Sequence, residues 1–346
     1  MMTQKFKLAA IAVVITIVSN LSILAQVSGG GYAESYLFRN VGCRAIGMAG
    51  AYTAVANDPS TLFFNPAGLS SLSDRAMILT YVSPIGNGRL QNYASWGQRF
   101  DKLGVGISFN NFNTSSFTAR DVRGNPLGTL NDVQYSLTAG LAYTMEFASF
   151  GASFKYLNNS LNYENTLGSG YGIDLGAKFD IAGLFTFGLA MQNIAGNINW
   201  NTTTNDKANI PYTIRAGFGM EFPFNTPTIT TRTTSLAELD TIYEPSTRYM
   251  LLSFDVGYNQ LQEQPNLILG AEIVPHEFFA IRAGTNIVGD NMGKLEFLPF
   301  NIWGAGISLR PTIQGLPFAM HFDYSIAYEF ASNDRMSHHF SLFLQF

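Results

Sequence analysis

The sequence predicts an all-β fold: a fourteen-stranded antiparallel transmembrane β-barrel with an N-terminal helical plug in its lumen. Three observations carry that reading. Of 346 residues, 47% are hydrophobic and 14% aromatic, yet only 13% are charged. That is about half the charge of an average soluble domain. A large soluble β-sandwich is the alternative, but its surface should carry more Lys and Glu. After the N-terminal leader no run of eighteen apolar residues occurs, so helical spans are excluded and the hydrophobicity lies on alternate residues. Third, a small-residue stretch, Arg39 to Leu72, precedes the alternating segments and reads as a compact insert.

The N-terminus reads as a secretory signal over residues 1–25. Lys5 and Lys7 form its positive region, Leu8 to Val18 its apolar region, and Gln26 is the expected mature start. A retained membrane anchor is the alternative, although Thr16, Ser19, Asn20 and Ser22 interrupt the apolar run. Residues 26–72 are then expected to form a periplasmic lead-in, up to Phe38, followed by the plug. Residues 73–346 are expected to form the barrel.

Within the plug, Gly42, Gly47 and Gly50 with neighbouring alanines let backbone approach backbone. Asp58 is placed to cap a helix with Pro59 at its first position. Asn65 precedes Pro66 and so ends that helix. Ala67, Gly68 and Leu69 turn the chain into the first strand.

From Ala76 the period is two, which puts alternate residues on opposite faces. Phe318, Met320, Phe322, Tyr324, Ile326 and Tyr328 share one face, whereas Ala319, His321, Asp323, Ser325 and Ala327 share the other. The same alternation predicts strands over 76–83, 90–98, 103–112, 133–145, 147–159, 170–180, 184–196, 211–222, 247–258, 265–273, 277–287, 299–309, 318–328 and 337–346. Glycine recurs on the polar face, where a crowded interior leaves no room for a side chain. Connections alternate in length. The short ones, such as 99–101, 146, 180–183 and 275–276, are expected in the periplasm with both termini. The longer ones, Asn113–Asp132, Ser160–Ser169, Asn197–Ile210 and Val288–Leu298, are expected outside. Pro223 to Ser246 is long but falls on the short side. It reads as a disordered loop or as a partner-binding excursion with a short helix at Leu236–Tyr243.

Chemistry is sparse. No nucleophile elbow, zinc-protease or P-loop pattern is present, so an enzyme is not expected and neither a cofactor nor a metal is implied. Cys43, the single cysteine, reads as a small buried residue. His338 and His339 are adjacent on a strand and cannot share a metal. His321 and Asp323 share a face and could form a hydrogen-bonded pair. A net charge of −4 argues against nucleic acid as a partner. Charges of both signs fall on the inward face: Lys155, Asp174, Lys178, Arg215, Glu221, Asp255, Glu272, Arg282, Arg310 and Asp323. Buried charges persist when paired, so these are expected to brace the wall and hold the plug. Outer-membrane lipid is the expected partner of the other face. The last strand alternates down to Phe346, similar to the C-terminal signal read by barrel assembly machinery.

The run Arg44 to Asp58, RAIGMAGAYTAVAND, followed by Phe64-Asn65-Pro66-Ala67-Gly68-Leu69, resembles the N-terminal signature of the PorV/PorQ family. That family lies within the FadL-like outer-membrane barrels. The resemblance implies fourteen strands and an N-terminal hatch inside the lumen. It further implies a component of type IX protein secretion. In that role the barrel would bind secreted cargo through a C-terminal domain, with secretion-system subunits as partners. In the fatty-acid transporters of the wider group the motif matching Asn65, Pro66 and Ala67 lies in a hydrophobic substrate path. Passage of fatty acids or other hydrophobic small molecules is therefore the alternative function.

Overall fold

Alternation of bulky apolar residues with small or polar ones extends the backbone, and fourteen such segments close on themselves. The computed structural model describes residues 34–86, 89–114, 116–162, 166–181, 183–225, 228–233, 239–244, 247–260, 265–288, 302–311, 316–329 and 335–346. The expected signal segment and the first part of the lead-in lie outside these residues. The barrel strands are β1 (Met77–Gly86), β2 (Arg89–Phe100), β3 (Leu103–Asn113), β4 (Asp132–Met145), β5 (Ala148–Leu161), β6 (Thr166–Ile181) and β7 (Phe185–Trp200). They continue as β8 (Thr213–Pro223), β9 (Tyr249–Asn259), β10 (Pro265–His276), β11 (Phe279–Val288), β12 (Ile302–Leu309), β13 (Ala319–Glu329) and β14 (Arg335–Gln345). Each pairs antiparallel with its sequence neighbours, and β1 closes the ring on β14 through Met77 opposite Gln345. Every one of the fourteen expected strands is present, with ends shifted by a few residues.

The outer face carries the apolar residues. Ile107, Phe154, Leu309 and Phe322 are about half exposed, as a lipid-facing wall requires. The inner face carries Gly, Ser, Asn and the charges. Short turns at 101–102, 146–147, 183–184 and 277–278 lie at one end together with the C-terminus. The connections 116–131 and 201–212 lie at the other, and the expected connection after Val288 lies outside the described residues. Segment 224–248 falls at the short-turn end, as expected, and among its described residues 239–243, within the expected helix, are extended rather than helical. Thr228–Thr233 pairs with Leu239–Glu244 as a hairpin, because both runs are rich in Thr and Ile.

The plug fills the lumen but is mostly turns. Its helices are α1 (Cys43–Gly47) and α2 (Thr61–Phe64), with 3-10 turns at Ser35–Phe38 and Pro66–Ser71. The helix therefore starts two residues later than expected, at Thr61 with Ser60 before it rather than at Pro59 after Asp58. Asp58 instead closes a local turn by accepting from the Ser60 amide at 2.8 Å. Asn65 does end α2, and its side chain caps the following 3-10 turn by accepting from Ala67 N at 3.1 Å.

Inward glycines on ten strands make room for this insert. A Cβ at Gly104 would strike the Leu69 carbonyl, one at Gly151 the Pro66–Ala67 peptide, one at Gly284 the Met48 carbonyl and one at Gly304 that of Ile46. Gly270, Gly284 and Gly304 stand in register across β10, β11 and β12, and Ala271, Ala283 and Ala305 stand in register beside them on the outer face. Gly284→Leu is therefore expected to cost about 2 kcal/mol or more through overpacking. Ala305→Leu, which points to lipid, should be close to neutral. The temperature at which each variant loses its compact, heat-modifiable gel mobility measures the difference.

Candidate functional site

One carboxylate joins the plug to the wall. Glu272 on β10 is fully buried. It accepts from Arg44 of α1 at 2.8 and 3.0 Å, from Arg282 of β11 at 2.5 Å and from the Tyr249 hydroxyl of β9 at 2.8 Å. Arg282 extends the chain to Asp323 on β13 at 3.0 Å. Arg44 also donates to the Tyr52 hydroxyl at 3.0 Å and to Asn57 Oδ1, and Tyr52 in turn donates to Asp58 at 2.6 Å. The plug thus brings its own cation to two wall acids and one wall arginine.

Farther round the wall, side chains satisfy plug backbone. Asp255 accepts from the Tyr52 and Thr53 amides at 3.1 and 2.9 Å. Arg215 donates to the Gly50 carbonyl at 3.3 Å and covers the Phe64 ring. Lys178 reaches Ser71 Oγ at 2.8 Å, and Asn65 Nδ2 donates to the Ala177 carbonyl at 3.1 Å. Gly47 lies against Arg282 and Gly306, Gly50 takes φ +90°, Gly68 lies against Thr61, and Pro66 and Ala67 meet Gly151. Cys43 is buried, and burial pushes its thiol up to about 12.

Other predicted residues do different work. Asp174 braces the wall rather than the plug. It pairs with Lys155 at 2.9 Å and accepts from the Asn193 amide at 2.9 Å. Those bonds hold a bulge in β7, where Asn193 and Ala195 take positive φ. Above Gln192, β7 leaves β8 and pairs instead with the short strand Lys207–Asn209. His321 stacks on Phe343 at 4.9 Å rather than bonding to Asp323, whose carboxylate is taken by Arg282. His321 and Arg310 line a cavity of about 210 Å³ at the short-turn end. His338 and His339 point to opposite faces, exposed and buried.

Residues 34–38 of the lead-in lie at the long-connection end, away from the short turns that were expected to accompany both termini. Tyr36, Leu37 and Phe38 pack with Phe112, Leu157 and Ile210, near the strand ends that carry the long connections. Apolar packing outweighs the polar composition that made this segment read as a loose lead-in from below. The Tyr-Leu-Phe triplet was the signal available in the sequence. Glu34 anchors the segment in left-handed geometry, φ 58°, accepting from Asn159 at 3.3 Å. Burial, with Asp132 nearby, pushes its carboxyl up to about 7. A further cavity, of about 190 Å³, lies between Phe38–Asn40, Ile46, Ala49 and His339. The pocket and cluster take no metal-like form: no group of three or more ligating side chains occurs among the described residues.

A family model, DUF5723, described as a family of unknown function, matches residues 95–286. No curated protein matches the sequence. Among solved structures, a Pseudomonas aeruginosa FadL homologue aligns with TM-score 0.53 and 11% identity, covering 89% of this chain and 98% of the other. The Ralstonia pickettii toluene transporter TbuX aligns with TM-score 0.51 and 12% identity, covering 88% and 96%. The Pseudomonas putida toluene transporter TodX aligns with TM-score 0.51 and 11% identity, also covering 88% and 96%. At such identity the likeness is one of fold: this chain has the architecture of the FadL-like barrels.

Two outcomes are expected from the geometry. Glu272→Gln leaves Arg44 and Arg282 without their shared acid and should cost about 3–5 kcal/mol. Glu146→Gln, on an exposed turn, should cost nothing measurable, and the heat-modifiable transition reads both. Because the Glu34 carboxyl is raised, docking of the lead-in is fully favoured below its ordinary value and weakens as pH rises towards 7. Hydrogen-exchange protection over residues 34–38, corrected for intrinsic rates, should fall about 10- to 100-fold between pH 4.5 and pH 8. Glu34→Gln should flatten that dependence.

Proposed function

The chain belongs to the DUF5723 family, and we propose that it is an outer-membrane barrel that admits small hydrophobic molecules past a fixed plug. The observation that carries this reading is the apolar cluster at the long-connection end. Phe112, Leu157 and Ile210 project into an inner wall that is otherwise mostly Gly, Ser, Asn and charge. Polar walls gain little from such residues unless something apolar covers them, and here the chain's own Tyr36 and Leu37 do so. The cluster lies beside the β7 bulge: Ile210 N donates to the Gly196 carbonyl at 2.9 Å, where β7 has parted from β8. The bulge at Asn193–Ala195, across which β7 changes partner from β8 to Lys207–Asn209, is the point of lateral entry in this reading. In this reading the long connections face outward. The short turns and Phe346, the strand end offered to assembly machinery, face the periplasm.

A second reading is a scaffold for type IX secretion that holds cargo domains or secretion subunits. The plug wording from Arg44 to Leu69 favours it, as does the ionic tether at Glu272, which suits a closed barrel. Co-purification from native membranes separates the two. Recovery of secretion subunits or of cargo sharing a C-terminal domain supports the scaffold.

Photoaffinity labelling tests the passage directly. An apolar aryl diazirine should label peptides containing Phe112, Leu157 or Ile210, and excess naphthalene should suppress that labelling. Phe112→Asn with Leu157→Asn should reduce it about tenfold. Labelling confined to the lipid-facing residues would overturn the reading.

A further inference from the structure

We propose that the pocket at the long-connection end selects neutral aromatic alcohols, and that Tyr36 is the chain's own stand-in for such a ligand. This deepens the passage reading above and rests on it. Its first support is the occupant. Tyr36 is fully buried, and its ring stacks on Phe112 at 6.5 Å with 22° between the planes. Leu157 and Ile210 complete its surroundings. The group filling the pocket is thus a phenol on a tether. That tether is held by a residue in left-handed geometry whose carboxylate makes one long bond, to Asn159.

The second support is the polar end of the pocket. The inner wall of β1 to β5 presents buried side-chain atoms that have no hydrogen-bond partner among the described residues. Among them are Ser83 Oγ, Gln91 Oε1, Asn110 Nδ2 and Asn159 Oδ1. These positions adjoin the apolar ones: Gln91 stands opposite Phe112, and Ser136 stands opposite both Asn110 and Leu157. Gln91 and Asn110 bond to each other at 3.2 Å, yet each keeps a further unmet group, one acceptor and one donor. Buried polar atoms normally find partners. A hydroxyl both donates and accepts, so a single one can serve an amide oxygen and an amide nitrogen together. The Tyr36 hydroxyl lies between Ser136 and Glu34 without a well-formed bond.

The third support is charge. Glu34 and Asp132 are acids at this end. Lys155, on the same wall, is taken by Asp174 and by Asn193 Oδ1 at 2.9 Å each. A carboxylate ligand would lose its hydration and stand beside two acids. A plain hydrocarbon would fill the apolar half and leave the amides unmet. An uncharged hydroxyl on an aromatic body meets both halves.

The experiment is competition against the diazirine labelling of Phe112 and Leu157 by 1-naphthol, naphthalene and 1-naphthoate at pH 7. The expected order is 1-naphthol about tenfold or more below naphthalene in half-maximal concentration, with 1-naphthoate weakest. Tyr36→Ala, checked for native heat-modifiable mobility, should make 1-naphthol compete more strongly by removing the tethered rival. Should that variant fail to fold, the wild-type order alone decides. Naphthalene matching 1-naphthol, or 1-naphthoate exceeding it, overturns the alcohol preference and leaves the passage reading standing. Absence of labelling at Phe112 and Leu157 overturns both.

Discussion

Glu272 is the constraint on which the interior depends. A fully buried carboxylate on the inner wall has no water to solvate it, and its desolvation must be met by partners. Here three donors from three separate elements meet it: Arg44 from the plug, Arg282 from β11 and Tyr249 from β9. The arrangement is unsatisfied unless the plug is inside. Neither the plug nor this side of the wall is electrostatically complete alone, so insertion and closure are coupled. The neighbouring glycines complete that coupling sterically. With no side chain at Gly284 and Gly304, the plug backbone at Ile46 and Met48 can lie against the wall, close to the arginine pair.

The two ends of the lumen then differ in kind. Towards the short turns, Arg44, Arg282, Asp323 and Asp58 make a paired ionic floor. Towards the long connections, uncharged amides and hydroxyls surround an apolar cluster closed by Tyr36 and Leu37. The floor suits permanence, because breaking a buried pair strands a charge. The cluster suits exchange, because apolar contacts can be replaced by any apolar occupant of similar shape. The Lys155–Asp174 pair belongs to neither end: it props the β7 bulge that separates β7 from β8.

The barrel was legible because its two faces meet different surroundings, so alternation persists in every strand. Ile107 and Ser108, or Phe322 and Asp323, could be sorted by parity alone. Parity also placed Asp174, Lys178, Arg215, Asp255, Glu272, Arg282 and Asp323 indoors, but it carries no information about partners. Arg44 stood in the plug motif without any sign that it would join Glu272, 228 positions away. The plug helix was read too long because Asp58-Pro59 is a genuine local signal. In the fold Asp58 instead closes a local turn on the Ser60 amide, and the helix begins only at Thr61. The packing of residues 34–38 at the long-connection end was not legible, because their apolar triplet is short and the residues that receive it lie more than 70 positions downstream. The 228–244 hairpin was missed because Leu236–Tyr243 has enough helix formers to mask the Thr–Ile pairing on either side of the turn.

The central claim is that the plug is held in the lumen as part of the wall's own charge balance. Electrical recording of the purified protein in a planar lipid bilayer tests it most directly. A fourteen-stranded wall without its insert would leave a wide aqueous pore. With the plug fixed through Glu272, the account predicts no steady open-pore conductance from the wild-type protein. A large, sustained conductance would contradict it.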